Sequence, residues 1–128
     1  PHEMRGPVVD GDKRGRQIGF PTANVAIRPE ILMPADGIYA GWLVRPTGER
    51  LPAAVYLGTR PTFYEDQPAS LLEVHCLDWD GDLYGEEVRV LFEHRLRGDR
   101  RFDTIEQLTA QLAIDCQQSK ELLTSESP

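Results

Sequence analysis

The chain has 128 residues, enough for one domain with its own core and too few for two. It carries 14 basic and 21 acidic side chains, a net charge of −7, which argues against a general nucleic-acid or anionic-membrane binder. The charge is lopsided: residues 1–60 hold 8 basic and 6 acidic groups and residues 61–128 hold 6 and 15, so a localised anion site in the first half stays open.

Gly (11) and Pro (10) fall between short apolar runs, a pattern that predicts many short strands in one antiparallel structure. The first strand is expected over Met4–Val9. A loop rich in glycine and charge follows, Asp10 to Arg16. A second extended stretch runs from about Phe20 to Ile27. Gly37–Val44 reads as a strand with Ile38, Ala40, Trp42 and Val44 on one face and Tyr39, Gly41 and Leu43 on the other. Pro46-Thr47-Gly48-Glu49 is a turn, and Leu51–Leu57 is the return strand. Ser70–Trp79 alternates most clearly, with Leu72, Val74 and Cys76 opposite Leu71, Glu73, His75 and Leu77. Asp80-Gly81-Asp82 is a hairpin signal, followed by alternation at Val88, Val90 and Phe92. Ile105, Leu108, Leu112 and Cys116 then recur at helical spacing. Asp103 or Thr104 is placed to cap that helix, with Glu106 or Gln107 three residues on. These elements predict a mainly β domain over residues 1–124. It is a six-stranded closed antiparallel barrel with one C-terminal helix packed outside, and a disordered tail over 125–128.

Cys76 and Cys116 form no CxxC and have no histidine at metal spacing, so they read as reduced thiols of a cytoplasmic protein. No apolar run approaches the ~18–20 residues of a membrane span, and no signal peptide is visible. The sequence begins at Pro1 and is patterned within a few residues, which reads as a piece of a longer protein.

One stretch combines the ingredients of a phosphate cradle. Gly11, Gly15 and Gly19 let the backbone turn and present N–H groups, while Lys13, Arg14 and Arg16 bring positive charge. No Gly-Lys-Ser/Thr opens a helix here, so this is not a P-loop. A solvated surface loop explains the same spacing. Thr22 and Asn24, two apart, offer two hard oxygen ligands that suit Mg²⁺ held together with phosphate oxygens. A turn in which both bond their own backbone fits equally well. Glu73 is a carboxylate in the middle of an otherwise apolar strand, placed either as a solvated residue or as a group that orients a hydroxyl and accepts its proton. His75 shares its face and reads as a strand residue bonded locally or to water. Arg97 could pin a ligand oxygen or pair with Asp99 or another acid. Phe102 could meet a ring or staple the helix start. Trp42 and Trp79 read as core or rim.

The run Gly11 to Asn24, with its Gly-Phe-Pro-Thr-Ala-Asn core, resembles the flavokinase (riboflavin kinase) family. So do Gly37–Gly41, Leu57–Phe63, Leu72–His75, Asp82–Gly85, Leu96-Arg97 and Phe102-Asp103, in family order over roughly residues 5–120. The likeness is to the C-terminal kinase module of bacterial bifunctional members, which carry an FAD synthetase (adenylyltransferase) domain in front. It implies a Greek-key barrel that moves the γ-phosphoryl of ATP to the ribityl 5′-hydroxyl of riboflavin, giving FMN and ADP. It further implies Mg²⁺ at Thr22 and Asn24, and nucleotide contacts at Gly11, Gly15, Arg16, Thr22, Asn24 and Tyr84. Arg97 and Phe102 would meet the flavin, and Glu73 would be the base. No nucleic-acid or membrane partner is expected, and the module by itself is expected to be monomeric. Tyr56 stands where a small polar residue is expected. A flavin-binding barrel without turnover and an oligonucleotide-binding barrel are the competing classes. Thr22, Asn24 and Glu73 speak against the first. Trp79 between Asp78 and Asp80 speaks against the second.

Overall fold

Alternation decides which side chains enter the core, and the strands follow it closely. The computed structural model describes residues 2–9, 20–26, 35–61, 68–98 and 102–126. Among these residues there are six strands: β1 (His2–Val9), β2 (Ala23–Val25), β3 (Gly37–Val44), β4 (Arg50–Pro61), β5 (Pro68–Cys76) and β6 (Glu87–Arg97). The helix α1 (Ile105–Glu126) follows β6. All strand pairs are antiparallel and close into a barrel in the order β1-β2-β5-β4-β3-β6. β3, β4 and β5 are consecutive neighbours, while β2 returns beside β5 and β6 beside β3, so each flanking strand completes a Greek key. Closure leaves no long edge to attract another chain.

The interior holds Met4, Val8, Val25, Tyr39, Leu43, Val55, Leu57, Leu72, Val74, Val88, Val90 and Phe92, among others. Each fully buried Leu, Val or Phe contributes about 1.5–3 kcal/mol relative to exposure. Tyr39 and Phe92 meet edge to face at 5.0 Å. Two glycines permit close approach of strands. A Cβ on Gly41 would fall 2.0 Å from the Leu91 carbonyl oxygen, and one on Gly6 2.0 Å from that of Ala26. The β3–β6 register shifts between Ala40 and Gly41 at the first of these sites.

The outer faces of β3 and β4 are also buried, because α1 packs across them. Ala40 and Ala54 are directly opposed, both 0% exposed, and outside the interior cluster. Their small side chains let the helix approach. Thr104 Oγ1 accepts from Gln107 N at 3.1 Å, and Gln107 Oε1 accepts from Asp103 N at 3.1 Å, so both helix-start candidates contribute. The helix face differs in part from expectation. Ile105 is 65% exposed, whereas Asp115 and Ser119 are fully buried and Leu123 lies on the same stripe.

Asp80-Gly81-Asp82 does not form a hairpin. β5 and β6 are not neighbours, and residues 77–86 instead span the barrel from one strand to the other. Gly81 serves packing there, since a Cβ would fall 2.7 Å from the Trp79 ring.

Candidate functional site

The register of three strands builds the centre of the site. Asn24 of β2 lies directly opposite Glu73 of β5, and Glu73 directly opposite Tyr56 of β4. Their strand neighbours Val25, Leu72, Val74, Val55 and Leu57 point inward, so Asn24, Glu73 and Tyr56 face outward. Directly opposed residues have Cβ atoms about 4.5–5.5 Å apart. The Asn24 amide and the Glu73 carboxylate therefore share one half-buried patch. Thr22, also half-buried, lies just before β2 begins.

On one side of this patch lie residues expected from the sequence to meet a nucleotide. Val9 of β1 is directly opposite Asn24. Gly85 N donates to Val8 O at 3.0 Å and Val8 N to Glu86 O at 2.9 Å, which brings Tyr84 to the same edge. Tyr84 is 61% exposed, and its N–H donates to Asp82 Oδ1 in the turn. Gly11, Gly15 and Arg16 lie outside the described residues, as do Lys13 and Arg14.

On the other side, Arg97 and Phe102 are brought together at the end of β6, with the guanidinium 5.8 Å from the ring centroid. Arg97 is held in a fork by Asp115 of α1: Nε to Oδ1 at 3.0 Å and Nη2 to Oδ2 at 2.7 Å. Nη1 donates to Gly98 O at 3.1 Å, and Gln111 Nε2 donates to Asp115 Oδ1 at 3.0 Å. Arg97 thus pairs with an acid, but with Asp115 from the helix. The row Asn24, Glu73, Tyr56, Ile38, Arg97 runs across five strands. Glu73 and Arg97 are three strand spacings apart, about 14 Å along the sheet.

Two features of the site were not legible as such in the sequence. Tyr56 Oη is buried without a hydrogen-bond partner among the described residues. Burial, then Cys116 and Asp115 close by, hold this phenol well above its ordinary range. His75, two residues from Glu73 on the same face, bonds across 54 positions of sequence: its Nδ1 lies 2.7 Å from Pro21 O. Its ring meets Phe20 edge to face at 5.6 Å. The only sequence signal was that His75 and Glu73 share a face. Burial pushes Cys76 up to about 12 and Cys116 up to about 11, so both thiols stay protonated at neutral pH.

Among the described residues no group of three or more His, Cys, Asp or Glu could hold a metal. A hydroxyl, an amide oxygen and a carboxylate at one patch cannot cage a cation. They fit a Mg²⁺ that arrives with phosphate and water oxygens, its usual mode. Among the described residues no helix is long and apolar enough to cross a membrane.

Comparison with known proteins is consistent along the chain. The family model for flavokinase (riboflavin kinase) matches residues 1–123. The bifunctional riboflavin kinase/FMN adenylyltransferase of Bacillus subtilis is 38% identical over 120 residues, 93% of this chain and 38% of that protein. The Escherichia coli protein of the same name is 41% identical over 115 residues, 90% of this chain and 36% of that one. The chain spans a little over a third of these relatives' length and corresponds to their kinase part. A crystal structure described as a macrolide-efflux protein from Streptococcus pneumoniae superposes with a TM-score of 0.85 at 37% identity, covering 94% of this chain and 38% of that chain. Riboflavin kinase from Trypanosoma brucei shares the fold, with a TM-score of 0.70 at 24% identity over 95% of this chain and 79% of that chain. A family match over almost the whole length, on a barrel of this topology, makes the chain a member of the riboflavin kinase family.

Proposed function

We propose that this domain phosphorylates the ribityl 5′-hydroxyl of riboflavin with ATP, releasing FMN and ADP. The observation that carries the reading is the direct opposition of Asn24 and Glu73, with Thr22 beside them. Thr22 and Asn24 would hold a magnesium ion, which when bound supplies charge neutralisation and orientation of the phosphates. Gly11, Gly15 and Arg16 would wrap the phosphates, and the exposed Tyr84 ring offers a face to the base. Arg97 and Phe102 would take the flavin ring system. α1 covers Ile38 and Tyr56, so a ligand joining the two sets runs along the barrel end, not across the row.

Glu73 accepts the hydrogen bond from the 5′-hydroxyl and aims its oxygen at the γ-phosphorus. As that oxygen bonds to phosphorus, the bridging bond to ADP breaks and the proton passes to the carboxylate. A carboxylate is a weak base for an alcohol at neutral pH. In a loose transition state the proton moves late, so orientation matters more than basicity. In the cell we place the domain in the cytoplasm, as a monomeric module fused to an adenylyltransferase domain.

The test is mass detection of FMN from riboflavin and Mg-ATP with wild type, Glu73→Ala, Glu73→Gln and Glu73→Asp. Wild type forms FMN, and kcat falls about 100-fold or more in all three variants. An Asp variant with wild-type kcat refutes the orienting role. Wild type that binds riboflavin without forming FMN refutes the kinase reading.

A further inference from the structure

β2 is only three residues long, and its ladder begins at Ala23. Phe20, Pro21 and Thr22 precede it and take no part in strand pairing. Thr22 is nevertheless assigned to the metal–nucleotide complex, a role that needs its hydroxyl fixed. Something outside the ladder must hold this segment, and among the described residues two contacts do. Both come from His75.

A carbonyl oxygen can only accept, so the 2.7 Å contact to Pro21 O requires the proton on His75 Nδ1. The Pro21 carbonyl belongs to the peptide plane that carries the Thr22 nitrogen. Restraining that oxygen restrains the plane, and with it the direction from which the Thr22 side chain departs. The edge-to-face contact with Phe20 holds the segment one residue earlier. β5 itself is paired on both sides, to β2 and to β4, so His75 stands on a firm base. The alternation that turns Glu73 outward turns His75 outward too. One strand thus presents the hydroxyl-orienting carboxylate and, two residues on, the clamp for the metal-binding segment.

We propose that His75 is a positioning residue for the nucleotide side of the site: its Nδ1–H and its ring fix Phe20–Thr22 so that the Thr22 hydroxyl meets the Mg–nucleotide complex. The inference rests on the reading of Thr22 and Asn24 given above. It does not make His75 a proton carrier, since the nitrogen that faces Pro21 is committed to a carbonyl.

The experiment compares His75→Leu, His75→Asn and His75→Gln with wild type. Calorimetry gives the Mg-ADP dissociation constant, flavin fluorescence gives riboflavin affinity, and steady-state kinetics gives KM for ATP. Loss of one hydrogen bond weakens an interaction by about tenfold. His75→Leu should weaken Mg-ADP binding and raise KM for ATP about tenfold, with riboflavin affinity within twofold of wild type. Asn places its amide nitrogen where Nδ1 stood, so His75→Asn should recover Mg-ADP binding to within about threefold. Gln carries its donor one carbon further and should not recover it. An unchanged Mg-ADP affinity in His75→Leu, an equal loss of riboflavin affinity, or Gln performing as well as Asn overturns the proposal. If His75→Leu does not fold, the Asn–Gln difference decides. Asn24→Ala separates this inference from its premise. If that variant keeps wild-type Mg-ADP affinity, the metal assignment fails whatever His75 does. If it loses affinity and the His75 variants do not, only the clamp fails.

Discussion

The Tyr56 hydroxyl is the one group in the site whose cost can be isolated. It is buried beneath α1 without a hydrogen-bond partner among the described residues. A buried unsatisfied donor costs about 1–3 kcal/mol, and removing the group that carries it recovers much of that cost. Tyr56→Phe keeps the ring that fills the space over β4. Thermal melts of the ligand-free domain should therefore show the Phe variant more stable by about 1 kcal/mol, a rise in Tm of about 3–5 °C. A fall in Tm would mean that the hydroxyl has found a partner in solution. The same residue shows why its neighbour matters. Tyr56 lies directly opposite Glu73 and closes one flank of the carboxylate. Asn24 lies on the other flank. Glu73 is thus oriented by two strands and does not depend on a loop for its position.

Among the elements, α1 is fastened to the barrel by a buried ion pair between Arg97 and Asp115. Asp115 is fully buried and the Arg97 side chain is 18% exposed, with two hydrogen bonds between them. Removing one partner strands the other charge, which costs about 3 kcal/mol for a pair buried to this degree. Asp115→Ala should lower Tm by about 10 °C. The double variant Arg97→Met with Asp115→Leu should regain most of that loss, because neither charge is left behind. A double variant no better than the single would show that the pair gains more from its hydrogen bonds than it loses in desolvation. Asp115 also marks where sequence reading stops. Strands β5 and β6 were legible because buried apolar residues recur in them at a period of two, and β3 because both of its faces are apolar. β4 continues to Pro61, four residues past the strand read over Leu51–Leu57. On α1, Leu108, Leu112 and Cys116 face the barrel as read and Ile105 does not; Asp115 and Ser119 were missed because they look like solvent residues until Arg97 arrives from β6. The hairpin at Asp80–Asp82 failed for a related reason: turn chemistry fixes a bend, but barrel closure chooses the partner strand. At the site, Thr22, Asn24 and Glu73 could be singled out by residue type. The contact of His75 with Pro21 spans 54 positions and leaves no periodic trace.

For the whole molecule, the end of the barrel away from Arg97 is held by charge, and that makes stability depend on pH. Arg45, just past β3, donates to Glu86 at 3.0 and 2.7 Å and to Glu49 at 2.9 Å, and its guanidinium lies 5.7 Å from the Trp79 ring centroid. It ties the connection between β5 and β6 to the β3–β4 turn. The hydrogen bonds from Arg45 hold the Glu86 carboxyl below its ordinary value of 4.5. The unfolded chain then binds a proton at Glu86 before the folded one does. The stabilisation is fully present above about pH 4.5 and is lost as pH falls through the lower folded value. At the alkaline end the sign reverses. Burial raises the Cys76 thiol from 9.0 to about 12, so its contribution is present below pH 9 and is lost as pH rises from 9 towards 12. Wild-type Tm measured from pH 3 to pH 11 should therefore fall at both ends. Glu86→Gln should melt lower than wild type at pH 7, with a flatter decline below pH 4.5. Cys76→Ala should flatten only the decline above pH 9. With 14 basic side chains in the sequence, protonation of the 21 acids carries the net charge from −7 through zero to positive in this range, so growing repulsion in the folded state adds to the acid decline. An acid slope unchanged by Glu86→Gln would assign the decline to other carboxylates and release Arg45 from the role given to it.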